Sequence, residues 1–172
     1  GHLVLSTIHT NNAAGTIPRL IDLKINPKII EAALNIAIAQ RLVRRLCLAC
    51  RQLLPIAPEE KKLLDLVWPG LKKKRPDLVQ DGAAVTTLWR EKGCLACHGT
   101  GWRGRVGLFE AMIMTPAIAA LLSENPSERE IKRLMEAQGL LDLREDGWLK
   151  ILDGITTVAE VGRVVDLYET RL

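Results

Sequence analysis

The feature that most restricts what this chain can fold into is that its four cysteines form two copies of one tetrapeptide, Cys47-Leu48-Ala49-Cys50 and Cys94-Leu95-Ala96-Cys97. A two-residue spacer lets both thiolates of a pair reach one tetrahedral ion, and two such pairs complete a four-thiolate shell. The spacing therefore predicts that Cys47, Cys50, Cys94 and Cys97 converge on a structural zinc ion. Residues 51–93 separate the pairs, more than in the usual zinc ribbon, but loop-closure entropy grows only with the logarithm of length. A closed shell leaves no position for a substrate, so the metal is expected to stabilise rather than to catalyse. Disulfide pairing is disfavoured in a reducing compartment, and thioredoxin-like redox chemistry needs one motif at a helix start rather than two facing pairs. Cys94-Leu95-Ala96-Cys97-His98 matches the attachment pattern of c-type haem, but haem would leave Cys47 and Cys50 without partners. Cys94 to Gly101 also spells the CxxCxGxG unit of bacterial Hsp40 chaperones; the first pair, followed by Arg51-Gln52, lacks the glycines.

Composition narrows the classes further. With 172 residues and 48% hydrophobic content, the chain is long enough for an ordinary core. The formal charge of +4 comes from 24 basic and 20 acidic residues spread along the chain. Aromatic residues make up 3%, which argues against the stacking platforms of single-strand nucleic-acid binders. The most apolar stretch, residues 29–39, is interrupted by Glu31 and Asn35 and falls short of the ~20 residues a membrane span requires. The opening Gly1-His2-Leu3-Val4 has no basic n-region or cleavage pattern, so a cytoplasmic setting is expected. Lys72-Lys73-Lys74-Arg75 reads as a solvated loop before Pro76, with contact to acidic lipid headgroups or an acidic partner as the rival reading.

Along the chain, Leu3-Val4-Leu5-Ser6-Thr7 reads as a buried strand that starts abruptly, as if a core had been cut. Asn11-Asn12 suggests a helix cap before Ala13, Ile17, Leu20 and Ile21. Asn26-Pro27 suggests a second cap, with a helix through Ile30, Leu34 and Ile38 toward Gln40. Arg41 to Leu46 is open between helix and strand. Residues 47–97 are polar and carry a short expected helix from Pro58 to Val67, as an inserted module would. Val106 to Glu110 reads as a strand. A run of short helices follows, announced by Thr115-Pro116, by Ser127 with Glu130, by Asp142 with Glu145 and by Thr157 with Glu160. Inward faces are expected at Ile131, Leu134 and Met135, at Trp148, Ile151 and Leu152, and at Val158, Val161, Val164 and Val165.

No G-x-x-x-x-G-K-[ST] loop, acid-tipped apolar strand, nucleophile elbow or metalloprotease motif occurs in the sequence. His2 and His9 bracket the first apolar segment, and with Ser6-Thr7 they form a set able to hydrogen-bond phosphate oxygens; ordinary surface histidines are the plainer reading.

The stretches Gly1-His2-Leu3-Val4-Leu5-Ser6-Thr7-Ile8-His9-Thr10-Asn11, Gln40-Arg41-Leu42-Val43-Arg44-Arg45-Leu46-Cys47 and Gly104-Arg105-Val106-Gly107-Leu108-Phe109-Glu110, with the paired cysteines and the ending Gly154 to Val161, resemble the secretion ATPase superfamily. The similarity is strongest to type II secretion and type IV pilus-extension motors, because retraction motors generally lack the four cysteines. The resemblance implies an α/β plus α chain: a C-terminal remnant of a RecA-like ATPase core with a histidine box (residues 1–46), a tetracysteine zinc module (47–97), a return strand (98–114) and a helical subdomain (115–172). It implies a cytoplasmic homohexamer, peripheral to the inner membrane, that hydrolyses ATP with magnesium and drives inner-membrane platform proteins, without nucleic acid as a partner. His2 and His9 would then sense the γ-phosphate, and Ser6, Thr7 and His9 would touch nucleotide in the intact motor only. Asn12 stands where the family commonly has an acidic or small residue. The alternative of another class is a free-standing zinc-stabilised interaction module with no ATPase role.

Overall fold

A computed structural model describes residues 2–78 and 82–168. Gly1, residues 79–81 and residues 169–172 lie outside the described residues, and with them the first residue of the Gly1 to Asn11 stretch and the end of the expected helical subdomain. The elements, in order, are α1 (Thr16–Asp22), α2 (Pro27–Ala33), β1 (Ile36–Leu46), β2 (Gln52–Pro55), α3 (Pro58–Lys74), β3 (Thr87–Arg90), β4 (Trp102–Ile113), α4 (Pro116–Leu121), α5 (Glu128–Glu136), α6 (Leu143–Leu152) and α7 (Val158–Gly162). The chain is thus the expected mixture of helix and sheet. β1 pairs with β4 and β2 with β3. Two compact units are assembled, each from two stretches: Gly1–Ala39 with Glu110–Leu140, and Gln40–Phe109 with Leu141–Leu172.

In the first unit, Ala13, Ile17 and Ile30 pack with Met112, Ile118 and Ile131 in one buried cluster. Leu3 to Thr7 is not the buried strand expected. Leu3, Val4 and Leu5 are 85%, 78% and 88% exposed, and among the described residues no strand pairs with them. An apolar run without alternation suits a strand with neighbours on both sides, and the described residues offer it none. Helix α1 starts at Thr16, later than an Asn11-Asn12 cap implies, because Asn12 shapes the turn before it instead. Its carbonyl oxygen Oδ1 accepts from Gly15 N at 2.9 Å, and its Nδ2 donates to Glu128 at 2.7 Å. Helix α2 has the expected Asn26 cap, whose side chain accepts from Lys28 N, but it ends at Ala33 instead of continuing toward Gln40. From Ile36 the burial alternates, exposed at Ile36 and Ile38 and buried at Ala37, which is the period of a strand and decides Arg41 to Leu46 as strand too. Thr115 and Ser127 cap α4 and α5 as expected, Ser127 with the reciprocal Glu130 bond.

In the second unit, α3 runs seven residues past the expected end at Val67. Its buried stripe Leu63, Leu64, Val67 and Leu71 keeps helical spacing through Pro69. The basic run is therefore not a loop: Lys72, Lys73 and Lys74 form the last turn of α3, where cations suit the carbonyl end of the helix dipole. Lys74 is buried and pairs at 2.7 Å with buried Glu145 of α6. Glu145 also completes the expected capping box with Asp142. Thr157 caps α7 by accepting from Glu160 N, but the Glu160 carboxylate turns to Arg44, which it binds through both the backbone N–H at 3.0 Å and the guanidinium at 2.6 Å. Val158 and Val161 are buried as expected, whereas Val164 is exposed, because α7 stops at Gly162.

Candidate metal centre

Each cysteine pair sits where a strand ends. Cys47 follows β1 and Cys50 precedes β2; Cys94 follows β3 and Cys97 precedes β4. β2 and β3 run antiparallel with Gln52 opposite Arg90 and Pro55 opposite Thr87, so the residues just after the first pair are zipped to those just before the second. The long separation is thus spanned by a hairpin neck, with α3 beyond it, rather than by a loose loop.

Local hydrogen bonds fold both turns. In the first, Cys50 N and Arg51 N donate to Cys47 O at 3.2 and 2.9 Å; in the second, Cys97 N and Gly99 N donate to Cys94 O at 3.2 and 2.9 Å. The second turn also depends on left-handed backbone. Gly101 has φ +78°, and a Cβ there would lie 2.6 Å from Glu91 Cβ. Its N–H points at Cys97 Sγ, 3.1 Å away, and Cys94 N donates to the same sulfur at 3.2 Å. Cys47 N donates to Gly101 O at 2.9 Å, which joins the two turns.

The four sulfurs all lie within 4.8 Å of one another, with Cys47–Cys94, Cys50–Cys97 and Cys94–Cys97 separations of 3.9, 3.9 and 3.8 Å. A tetrahedron of ~2.3 Å metal–sulfur bonds has edges of about 3.8 Å, whereas a disulfide needs about 2.05 Å. The cluster therefore fits one four-coordinate ion, and a set of soft thiolates suits zinc. Burial pushes the Cys50 thiol up to about 11, and the neighbouring thiols push it the same way. Burial acts upward on Cys97 too, but the Cys94 and Gly101 N–H groups, together with hydrogen bonds from the Cys94 and Cys50 thiols, outweigh it and hold that thiol at about 6.

The structure brings together the four predicted ligands and does not gather the other predicted residues into a comparable site. His2, Ser6, Thr7 and His9 are exposed in the first unit. Sequence reasoning gave no role to three residues that the fold uses. Glu110, buried in β4, accepts the Ala13 N–H at 2.8 Å and so fixes the turn after His9 and Thr10; a carboxylate in an apolar strand was the available signal. Arg51, next to Cys50, stacks 4.3 Å over the Trp89 ring and donates to Gly154 O and Asp153 O at the end of α6. Lys74, described above, was hidden in a charge run.

A mixed α/β chain with this tetracysteine centre belongs to the type II/IV secretion system protein family, whose model matches residues 1–163. Among individual relatives it is 40% identical over 164 residues, 95% of this chain, to the type II secretion system protein E of Pseudomonas aeruginosa. It is 38% identical over 161 residues, 94% of this chain, to the type IV pilus assembly ATPase PilB of Myxococcus xanthus. It is 37% identical over 164 residues, again 95% of the chain, to the type II secretion system ATPase E of Vibrio cholerae. The chain spans 30%, 26% and 30% of the lengths of these three relatives.

Proposed function

We propose that this chain is the C-terminal part of a cytoplasmic hexameric ATPase that powers type II secretion or type IV pilus assembly, and that it contributes a structural zinc centre rather than a complete catalytic site. The observation that carries the metal reading is the convergence of four sulfurs within 4.8 Å. Cys47, Cys50, Cys94 and Cys97 would hold the ion, which supplies fold stabilisation, since four protein ligands leave no open coordination position. Within the parent motor, residues 1–46 and 98–114 belong to a RecA-like core, residues 47–97 form the metal module, and residues 115–172 the helical subdomain.

His2 and His9 sense the γ-phosphate there, and Ser6, Thr7 and His9 approach nucleotide. Their exposed side chains support this reading, as does the Glu110 anchor on Ala13 N, which orients the segment that carries them. Phosphoryl transfer depends on a phosphate loop and on acids that hold magnesium, and the sequence contains no phosphate-loop motif. ATP, magnesium, the other subunits and the inner-membrane platform proteins are accordingly partners of the intact motor. No helix among the described residues is long and apolar enough to cross a membrane, in keeping with peripheral attachment.

The test is metal analysis of the purified chain together with an ATPase assay. One zinc per chain and no turnover are expected. Absence of bound metal after purification in zinc-supplemented buffer would overturn the metal reading, and robust ATP hydrolysis by this chain would overturn the non-catalytic one.

A further inference from the structure

The backbone turns between His9 and helix α1, and carboxylates from two distant parts of the chain hold that turn in place. Its local bonds come first: Thr10 Oγ1 donates to Asn12 O at 3.0 Å, and Gly15 N donates to Asn12 Oδ1 at 2.9 Å. Glu110 of β4 accepts from Ala13 N at 2.8 Å. Glu128, the first residue of α5, accepts from Asn12 Nδ2 at 2.7 Å. Asn12 thus uses both ends of its amide, the carbonyl to shape the turn and the amino group to reach α5.

Glu128 is itself held where it is. It lies in the first turn of α5, where a carboxylate suits the positive end of the helix dipole, and Lys132, one turn on, pairs with it at 3.1 Å. Burial pushes its carboxyl up, but hydrogen bonds from Asn12 and Lys132 outweigh that and keep it below the ordinary 4.5. Its second oxygen crowds the turn as well, since a Cβ added at Gly15 would lie 3.4 Å from it. Packing reinforces the contact, because Ile131 of α5 and Ala13 and Ala14 of the turn are buried in one cluster. Before the turn, residues 2–7 and His9 are exposed, and among the described residues no strand pairs with them. The direction in which His9 leaves the fold is therefore set largely at residues 10–15.

We propose that Glu128 is a positioning residue for the nucleotide-facing segment: through Asn12 it ties α5 to the turn behind His9, so that the placement of α5 decides where His9 meets the γ-phosphate. The proposal rests on the motor reading for what His9 contacts. Glu128 touches no nucleotide and acts only through Asn12. A carboxylate that merely stabilised α5 would need the helix dipole and Lys132 alone; the bond from Asn12 Nδ2 is what makes it a link to the turn.

The experiment compares Glu128→Ala with Glu128→Gln. Both variants lose the charge and the Lys132 pair, but only glutamine keeps an oxygen able to accept from Asn12. In this chain, hydrogen exchange at Ala13 N should quicken at least about tenfold in Glu128→Ala, as for one lost bond to a charged group, and no more than about threefold in Glu128→Gln. Exchange in β2 and β3 of the other unit should be unchanged in both, which reports an intact fold. Asn12→Ala combined with Glu128→Ala should be no worse than Asn12→Ala alone, because the two residues act as one link. In the intact motor, Glu128→Ala should lower kcat for ATP at least about tenfold, with glutamine restoring it. ADP affinity should not move, since ADP has no γ-phosphate for His9 to meet. The proposal is overturned if Glu128→Ala leaves Ala13 exchange unchanged, or if glutamine is as damaging as alanine. It is also overturned if exchange quickens while kcat holds, a result that spares the motor reading. Absence of ATP hydrolysis by the unmodified intact motor would instead remove the motor reading, and this role for Glu128 with it.

Discussion

The two Cys-Leu-Ala-Cys turns have the same four residues, yet their sulfurs meet different surroundings. In the first, the backbone amides of Cys50 and Arg51 close on a carbonyl, and burial with crowding by the other thiols outweighs the single Gly93 amide on Cys50 and holds it protonated to about 11. In the second, two amides aim at Cys97 Sγ and keep its thiolate available down to about 6 despite burial. The tetrapeptide sets the sulfur spacing, while amides inside and on either side of the second copy, from Cys94, Gly93 and Gly101, set the electrostatics. Gly101, in left-handed conformation, gives the second turn an amide that Gln52, opening a strand, does not give the first.

The strongest challenge to this asymmetry is removal of the metal. Under the proposed metal reading both turns depend on the same ion, and a structural zinc site in small domains contributes on the order of 10 kcal/mol to folding. Chelation should therefore release amide protection together in β2, β3, α3 and α6, while α1, α4 and α5 of the other unit stay protected in hydrogen exchange. This divides the helical tail, because Arg51 ties α6 to the first turn. Loss of protection confined to residues 93–101 would show that the first turn stands without metal. A smaller effect is expected for Gly101→Ala, which must distort φ +78° and displace Glu91, misdirecting the amide on Cys97. Supporting groups around metal ligands are worth about 10–100-fold in affinity, so zinc competition should show a loss in that range, with Gln52→Ala unchanged; equal affinities for the two would erase the asymmetry.

The smallest effect concerns the approach to the first turn. The hydrogen bond from Arg44 holds the Glu160 carboxyl below its ordinary value of 4.5. A carboxyl depressed on folding contributes stability above its unfolded pKa, and that contribution fades as pH falls through the folded value. With the Arg44 side chain 44% exposed, screening limits the contribution to about 1 kcal/mol. Urea titrations should show Glu160→Gln less stable by that amount at neutral pH and converging with the natural chain in acid, at unchanged zinc content. A constant difference at all pH values would mean that the loss is packing rather than charge.

The convergence of the four cysteines was legible because two-residue spacing is a geometric requirement of metal chelation, independent of what surrounds it. Helix starts were legible for a similar reason: Asn26, Thr115, Ser127 and Asp142 satisfy amides within three residues of themselves. What escaped were decisions made by distant partners. Ile30, Leu34 and Ile38 continue a helical spacing, but pairing of β1 with β4 ends α2 early. Lys74 lies in a basic run and only Glu145, far along the chain, makes it a buried pair. Leu3 to Leu5 has the composition of a sheet interior without a described sheet to receive it. Of the candidate site, the cysteine cluster could be read directly and Glu110 showed as a carboxylate in an apolar strand, whereas Arg51 acts on backbone carbonyls, which leave no pattern in a sequence.

The hairpin neck has an implication for engineering. Since Pro55 faces Thr87, residues 56–86 leave and re-enter the ribbon at adjacent points, so a short reverse turn could replace the whole excursion without separating the cysteines. The graft would not be neutral, for it would discard the lysine that neutralises Glu145. A minimal ribbon built this way should carry Glu145→Gln, turning a natural appendage into an exchangeable cassette.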